Sequence, residues 1–126
     1  MREAVATSGA PTPIGPYVQG VLAQGKLLFI SGQIGLTPEG DMVAADIRSQ
    51  TRQSLENIRA ILASVGAGLE HVVKTTIFLR SLEDFPVVNE IYAGFFGVHP
   101  PARTTVEVSA LPRGALVEIE AIAVLP

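Results

Sequence analysis

The chain has 126 residues, a length that suits one domain spanning 1–126. It contains no cysteine, which excludes disulfides, thiolate metal sites and cysteine nucleophiles. Nine Lys and Arg against twelve Asp and Glu leave a formal net charge of −3, and the basic residues form no stripe of the kind that nucleic-acid binders carry.

No apolar run reaches the ~18 residues of a membrane span, and Met1-Arg2-Glu3-Ala4 lacks the apolar core of a signal peptide. A cytoplasmic protein that binds neither membrane nor nucleic acid is expected. Pro11, Pro13 and Pro16, with Gly9 and Gly15, mark residues 8–16 as an ordered loop or a flexible arm. Two apolar runs follow, at 17–22 and 27–31. The Gly-containing link between them predicts a β-hairpin. Gly32, Gly35, Pro38 and Gly40 then make a turn-rich connection.

Residues 46–65 read as a helix. Asp46 can cap it, Ile47, Leu55, Ile58, Ile61, Leu62 and Val65 recur on one broad face, and Gly66 and Gly68 end it. Arg48, Arg52 and Arg59 are interleaved with Glu56 and fit a solvated face, with Arg52 and Glu56 one turn apart. The β-branched run 72–79 predicts a central strand. Phe85, Val88, Tyr92, Phe95 and Phe96 trace a second helix over 83–96, in which Pro86 falls in the tolerated first turn. Two last strands are expected at about 103–110 and 117–124. The order ββ-α-β-α-ββ implies an α+β fold whose mixed sheet carries both helices on one face.

Side chains alternate along a strand. Arg103, Thr105, Glu107 and Ser109 therefore share one face of their strand, and Glu118, Glu120, Ile122 and Val124 share one face of theirs. With the helices covering the apolar faces, Arg103 and the glutamates are expected together on the uncovered face. That mixture of acid and apolar groups suits a subunit interface with a polar pocket, hence a homo-oligomer. A simple hairpin of the last two strands would separate Arg103 from Glu118 by roughly 20 Å. The two can share a pocket only if another strand lies between their strands or if they meet across subunits.

The chain also resembles the Rid (YjgF-type) family of reactive intermediate deaminases, closest to the RidA-like subgroup, over nearly its whole length. The likeness runs in order through Ile14-Gly15-Pro16-Tyr17, Ser31-Gly32-Gln33-Ile34, the segment Gln50–Asn57, Val73-Lys74-Thr75-Thr76, and Asp84-Phe85 with Val88-Asn89. It continues through Pro101-Ala102-Arg103 and ends in Val117–Val124. The resemblance implies a chorismate-mutase-like fold, a homotrimer with sites between subunits, and hydrolysis of 2-aminoacrylate and 2-iminobutyrate-type acids to 2-keto acids and ammonia without metal or organic cofactor. It maps substrate contacts onto Tyr17, Ser31, Gly32, Asn89, Arg103 and Thr105, and catalysis onto Arg103 and Glu118. Thr105, often Cys in relatives, departs from the pattern, as does Thr104, often Ser; the segment 97–100 also looks shorter than in some relatives.

The chemistry fits those residue types. A planar guanidinium matches a substrate carboxylate bidentately, and Arg103 can do this, although an ion pair with Glu107 or Glu120 is an equal alternative from the residues alone. A carboxylate can aim water at the C=N carbon and relay its proton; Glu118 and Glu120 both qualify, and the family motif selects Glu118. Gly32 lets backbone approach a ligand closely. Ser31 and Tyr17 offer hydrogen bonds, while Asn89 can instead satisfy backbone groups. His71 and His99 read as isolated surface residues. A non-catalytic sensor of small carboxylic acids using the same cleft is the alternative function. An RNA-acting role, described for some relatives, runs against the acidic balance.

Overall fold

The computed structural model describes residues 1–126. Six strands and two helices follow one another as β1 (Arg2–Val5), β2 (Gly20–Ala23), β3 (Leu27–Gln33), α1 (Ile47–Ala63), β4 (Val72–Leu79), α2 (Phe85–Phe96), β5 (Ala102–Glu107) and β6 (Val117–Val124). This is the expected α+β order with one strand, β1, added at the front. The main sheet runs β3-β6-β4-β5. β6 is antiparallel to both β3 and β4, and β5 is parallel to β4. The last two strands are therefore not a hairpin, and β4 separates them.

The hairpin expected across Gly25 does not form. β2 pairs with β1 instead, in a two-stranded ribbon apart from the main sheet. Gly25 adopts φ 140°, a backbone region open to glycine, where a Cβ would meet Val124 Cγ2 at 3.0 Å. The chain turns sharply there, and β3 leaves to pair with the apolar strand β6.

α1 starts where Asp46 accepts the backbone N–H of Ser49 at 2.8 Å, and it stops before Gly66 at φ 76°. Its apolar face supplies Leu55, Ile58 and Leu62, all fully buried, while Val65 remains exposed beyond the helix end. Polar residues of the same helix are buried too, and they act as tethers. Ser54 Oγ donates to the Gln33 carbonyl at 2.7 Å, Asn57 Nδ2 to that of Leu36 at 2.9 Å, and Gln50 Oε1 accepts from Leu116 N at 2.8 Å. These bonds hold the glycine-rich connection after β3 and the entry to β6. Glu56 pairs with Arg59 at 2.9 Å rather than with Arg52.

α2 contributes Val88, Ile91, Tyr92 and Phe96 to a core shared with Ile77 and Leu79 of β4 and Val117, Ile119, Ala121 and Ala123 of β6. Burying each Val, Leu or Ile side chain among them stabilises the fold by roughly 1.5–3 kcal/mol. The opposite sheet face has no helix over it. Phe29 is 69% and Leu27 50% exposed there, beside Phe78, Ile122, Glu118 and Glu120.

Candidate active site

The parallel register of β4 and β5 decides where Arg103 points. Arg103 lies opposite Thr75, and Thr105 opposite Ile77. Thr75 and Ile77 are buried under the helices, so Arg103 and Thr105 project to the helix-covered side. The expectation that Arg103 shares the open face with Glu118 is thus corrected. Alternation along β5 does put Arg103 and Thr105 on one side, but which side follows from a long-range parallel pairing. Glu118, opposite Phe78, and Glu120, opposite Thr76, do lie on the open face.

The predicted site residues therefore fall into two groups. On the helix side, Arg103 Nη1 donates to Asn89 Oδ1 at 2.7 Å. The guanidinium carbon sits 4.9 Å from the Tyr92 ring centre, 5.2 Å from that of Tyr17 and 5.3 Å from that of Phe85. Three ring faces at these distances attract a cation electrostatically. No carboxylate reaches Arg103: the ion pairs of the chain are Arg48–Glu90 and Arg59–Glu56, and Glu70 lies 3.6 Å from His71. Glu107 is occupied elsewhere, accepting from Leu82 N at 2.9 Å. Burial pulls the Arg103 guanidinium below its ordinary pKa, while the hydroxyls of Tyr92 and Tyr17 pull the other way. A half-buried arginine anchored by a neutral amide and aromatic faces keeps donors for an outside anion.

Those donors open into a cavity of about 210 Å³ lined by Ile14, Tyr17, Phe85, Asn89, Arg103 and Thr105. Drug-sized pockets start at ~300 Å³, so this one suits a small acid. Thr105 Oγ1 is buried in its wall with no hydrogen-bond partner. Beneath, Tyr92 Oη and Thr75 Oγ1 lie 2.6 Å apart and fix the ring under the guanidinium. Burial pushes the Tyr92 hydroxyl up to about 12, against the lowering by Thr75 and Arg103.

The second group is on the open face. A register shift between Ile30 and Gln33 brings Ser31 and Gly32 toward β6. A Cβ at Gly32 would lie 2.8 Å from Glu118 Cδ, so any other residue would push that carboxylate out of its present place. Ser31 lines a separate cavity of about 200 Å³ with Phe29, Glu120 and Ile122. Within one chain, Ser31, Gly32 and Glu118 do not join Arg103, Asn89, Tyr17 and Thr105.

Sequence reasoning passed over Ile14, Phe85 and Tyr92 as site components. Phe85 and Tyr92 carried only the signal of a helical apolar stripe. Ile14 could have been found from its place in the Ile14–Tyr17 motif. His71, read as a surface residue, is half-buried, and its Nδ1 accepts from Gly68 N at 2.9 Å, closing the turn before β4. The groove between α1 and α2, lined by Arg52, Glu56, Arg59 and Glu90, carries both signs of charge, and two of its acids are already paired.

Comparison with known proteins places this architecture among described relatives. The family model described as "Endoribonuclease L-PSP" matches residues 7–125. A "RutC family protein" of Pyrococcus horikoshii is 52% identical over 124 residues, covering 98% of each chain. The "2-iminobutanoate/2-iminopropanoate deaminase" of Salmonella typhimurium is 48% identical, again covering 98% of each. Among solved structures, YyfA of Yersinia pestis, described as a protein of unknown function of the conserved Rid protein family, superposes with a TM-score of 0.77 at 49% identity. That match covers 99% of this chain and 100% of the other.

Proposed function

This chain belongs to the endoribonuclease L-PSP family, the YjgF/Rid proteins, and from that premise we propose that it hydrolyses small 2-imino and enamine acids to 2-keto acids and ammonia. One observation carries the reading: a half-buried Arg103 without any acidic partner, opening into a small, largely apolar cavity. Relatives named as imine deaminases at about half identity support it.

In the reaction, water adds to the C=N carbon. The π electrons move to nitrogen, which takes a proton. The resulting carbinolamine expels ammonia as its hydroxyl proton is transferred, leaving the keto acid. Arg103 holds the carboxylate through its free donors, and Asn89 keeps the guanidinium at a fixed angle. Tyr17 and Phe85 shield the imine from bulk solvent. Thr105 offers its unpaired hydroxyl to the substrate. Positioning and desolvation supply most of the acceleration, because an imine already reacts with water.

The water-handling carboxylate is Glu118 in this proposal, and it comes from a neighbouring copy, because within one chain it faces away from Arg103. The uncovered sheet face, with Phe29 and Leu27 exposed, would be buried in a homotrimer whose sites lie between subunits. Ser31 and Gly32 would then enter the site together with Glu118. The opposite placement of Arg103 and Glu118 in a single chain also favours a second reading, a carboxylate-binding protein without hydrolysis.

Ammonia and keto-acid release from enzymatically generated 2-aminoacrylate or 2-iminobutyrate separates the two. Arg103→Ala should abolish turnover in a folded protein. Full activity in that variant would refute the role given to Arg103, and saturable 2-ketobutyrate binding without ammonia release would favour the binding protein.

A further inference from the structure

Arg2 lies in β1, far from Arg103 in sequence, and it has no acidic partner. Its guanidinium instead makes three hydrogen bonds to backbone carbonyls. Nε donates to Val72 O at 2.9 Å, and Nη2 to Pro100 O at 3.0 Å and His99 O at 3.2 Å. Val72 opens β4, and His99 and Pro100 lead into β5. One side chain therefore ties together the starts of the two parallel strands whose register aims Arg103.

The segment it grips has few other anchors. Pro100 and Pro101 lack backbone N–H groups, so their backbone can be hydrogen-bonded only through the carbonyls. The carbonyls of His99 and Pro100 accept from Arg2, and that of Pro101 accepts from Val18 N at 3.2 Å. All three acceptors are taken by the N-terminal ribbon and its connecting loop. Arg103 follows two residues after Pro101. Tyr17, next to Val18, faces the Arg103 guanidinium, and Gly15 approaches it so closely that a Cβ would stand 3.1 Å from Nη2. The same arm that grips the entry to β5 thus forms a wall of the cavity. Burying part of a guanidinium with no counter-charge is costly, and the three carbonyl hydrogen bonds offset that cost only while Arg2 holds this geometry.

We propose that Arg2 is a positioning residue: its fork latches the N-terminal arm onto the β4 and β5 entries and so sets the orientation of Arg103 and the Tyr17 wall. The inference rests on the Arg103 pocket as a carboxylate site, and it is read in ligand affinity as well as in turnover. An Arg103 guanidinium that swings out of its bidentate geometry forfeits a charge-assisted hydrogen bond to the carboxylate, so loss of the latch is expected to weaken carboxylate binding about tenfold.

The test uses the full chain with Arg2→Ala and Arg2→Lys. Steady-state kinetics with 2-iminobutyrate and calorimetric titration with 2-ketobutyrate are compared, with circular dichroism and size measurement as folding controls. Both variants should raise KM and Kd by about tenfold while kcat changes far less. Lys should not rescue, since a single ammonium keeps the charge but cannot span carbonyls of two strand entries. A purely structural role would lower Tm and the active fraction and leave KM and Kd of the folded protein unchanged. Wild-type Kd in either folded variant overturns the proposal, and Lys decides alone if Ala does not fold. If the unmodified chain binds 2-ketobutyrate but releases no ammonia, the deaminase reading falls, and the Arg2 comparison is still decided by Kd.

Discussion

Thr105→Val keeps the shape of the side chain and deletes a buried hydroxyl that has no partner in the unliganded protein. Burying a hydroxyl unpaired costs roughly 1–3 kcal/mol by mutational data, so its removal should stabilise the free chain by about 1 kcal/mol or more. For a domain of this size that raises Tm by roughly 3–6 °C. Thr105 lines the same cavity as Arg103 and Asn89, and a bound acid would supply the partner its hydroxyl lacks. Losing that bond should weaken 2-ketobutyrate binding about tenfold, equivalent to ~1.4 kcal/mol. Saturating ligand stabilises by mass action in proportion to log affinity, so added keto acid should narrow the Tm advantage of the variant or reverse it. Differential scanning calorimetry with and without 2-ketobutyrate, beside KM for the imine, measures both effects. A variant that is less stable than wild type in the absence of ligand and binds keto acid equally well would refute the reasoning on both counts.

Other expectations follow from the same geometry. The Tyr92 hydroxyl has its pKa raised to about 12 by burial, so the folded state holds that proton more tightly than the unfolded chain does. Its stabilising contribution is complete below the ordinary tyrosine value near 10 and is lost as pH rises toward 12; Tyr92→Phe should remove this loss in alkaline denaturant titrations, at the expense of leaving Thr75 unpaired. Gly32→Ala would put a methyl group onto the Glu118 carboxylate, and imine turnover should fall by about tenfold or more while the circular dichroism spectrum stays that of the folded protein. Asp46→Ala removes the cap of α1 and should lower Tm while leaving KM untouched, because the cap is remote from the cavity.

Much of the framework was legible in the chain. The Asp46 cap, the 3.6-residue apolar spacing and Gly66 bounded α1 to within a residue or two, and the β-branched run 72–79 coincided with the central strand β4. Local signals failed where long-range pairing competes. Residues 17–22 and 27–31 look like a hairpin, yet β3 finds a longer apolar partner in β6, and β2 takes Arg2–Val5, a segment with no strand periodicity to betray it. Alternation put Arg103 and Thr105 on one face, but which face needs the Thr75–Arg103 pairing, which no local pattern encodes. Nothing in the sequence pattern marks Gln50, Ser54 and Asn57 as tethers, although their side chains tie α1 to the connection after β3 and the entry to β6. Residue chemistry alone left Arg103 divided between a carboxylate site and an ion pair, the family resemblance supplied Tyr17, Asn89 and Thr105 beside it, and the aromatic floor looked like ordinary core.

In the proposed assembly each site joins Arg103 of one copy to Glu118 of another. Mixing two inactive variants tests it directly. Arg103→Ala and Glu118→Ala chains are unfolded together, refolded at equal concentration and assayed for ammonia release from 2-iminobutyrate. If sites form between subunits of a closed ring, about a quarter of them receive both intact residues in a random mixture, and activity should return to about a quarter of wild type. No recovery in mixed oligomers, shown by tagged co-purification to contain both chains, would contradict the account.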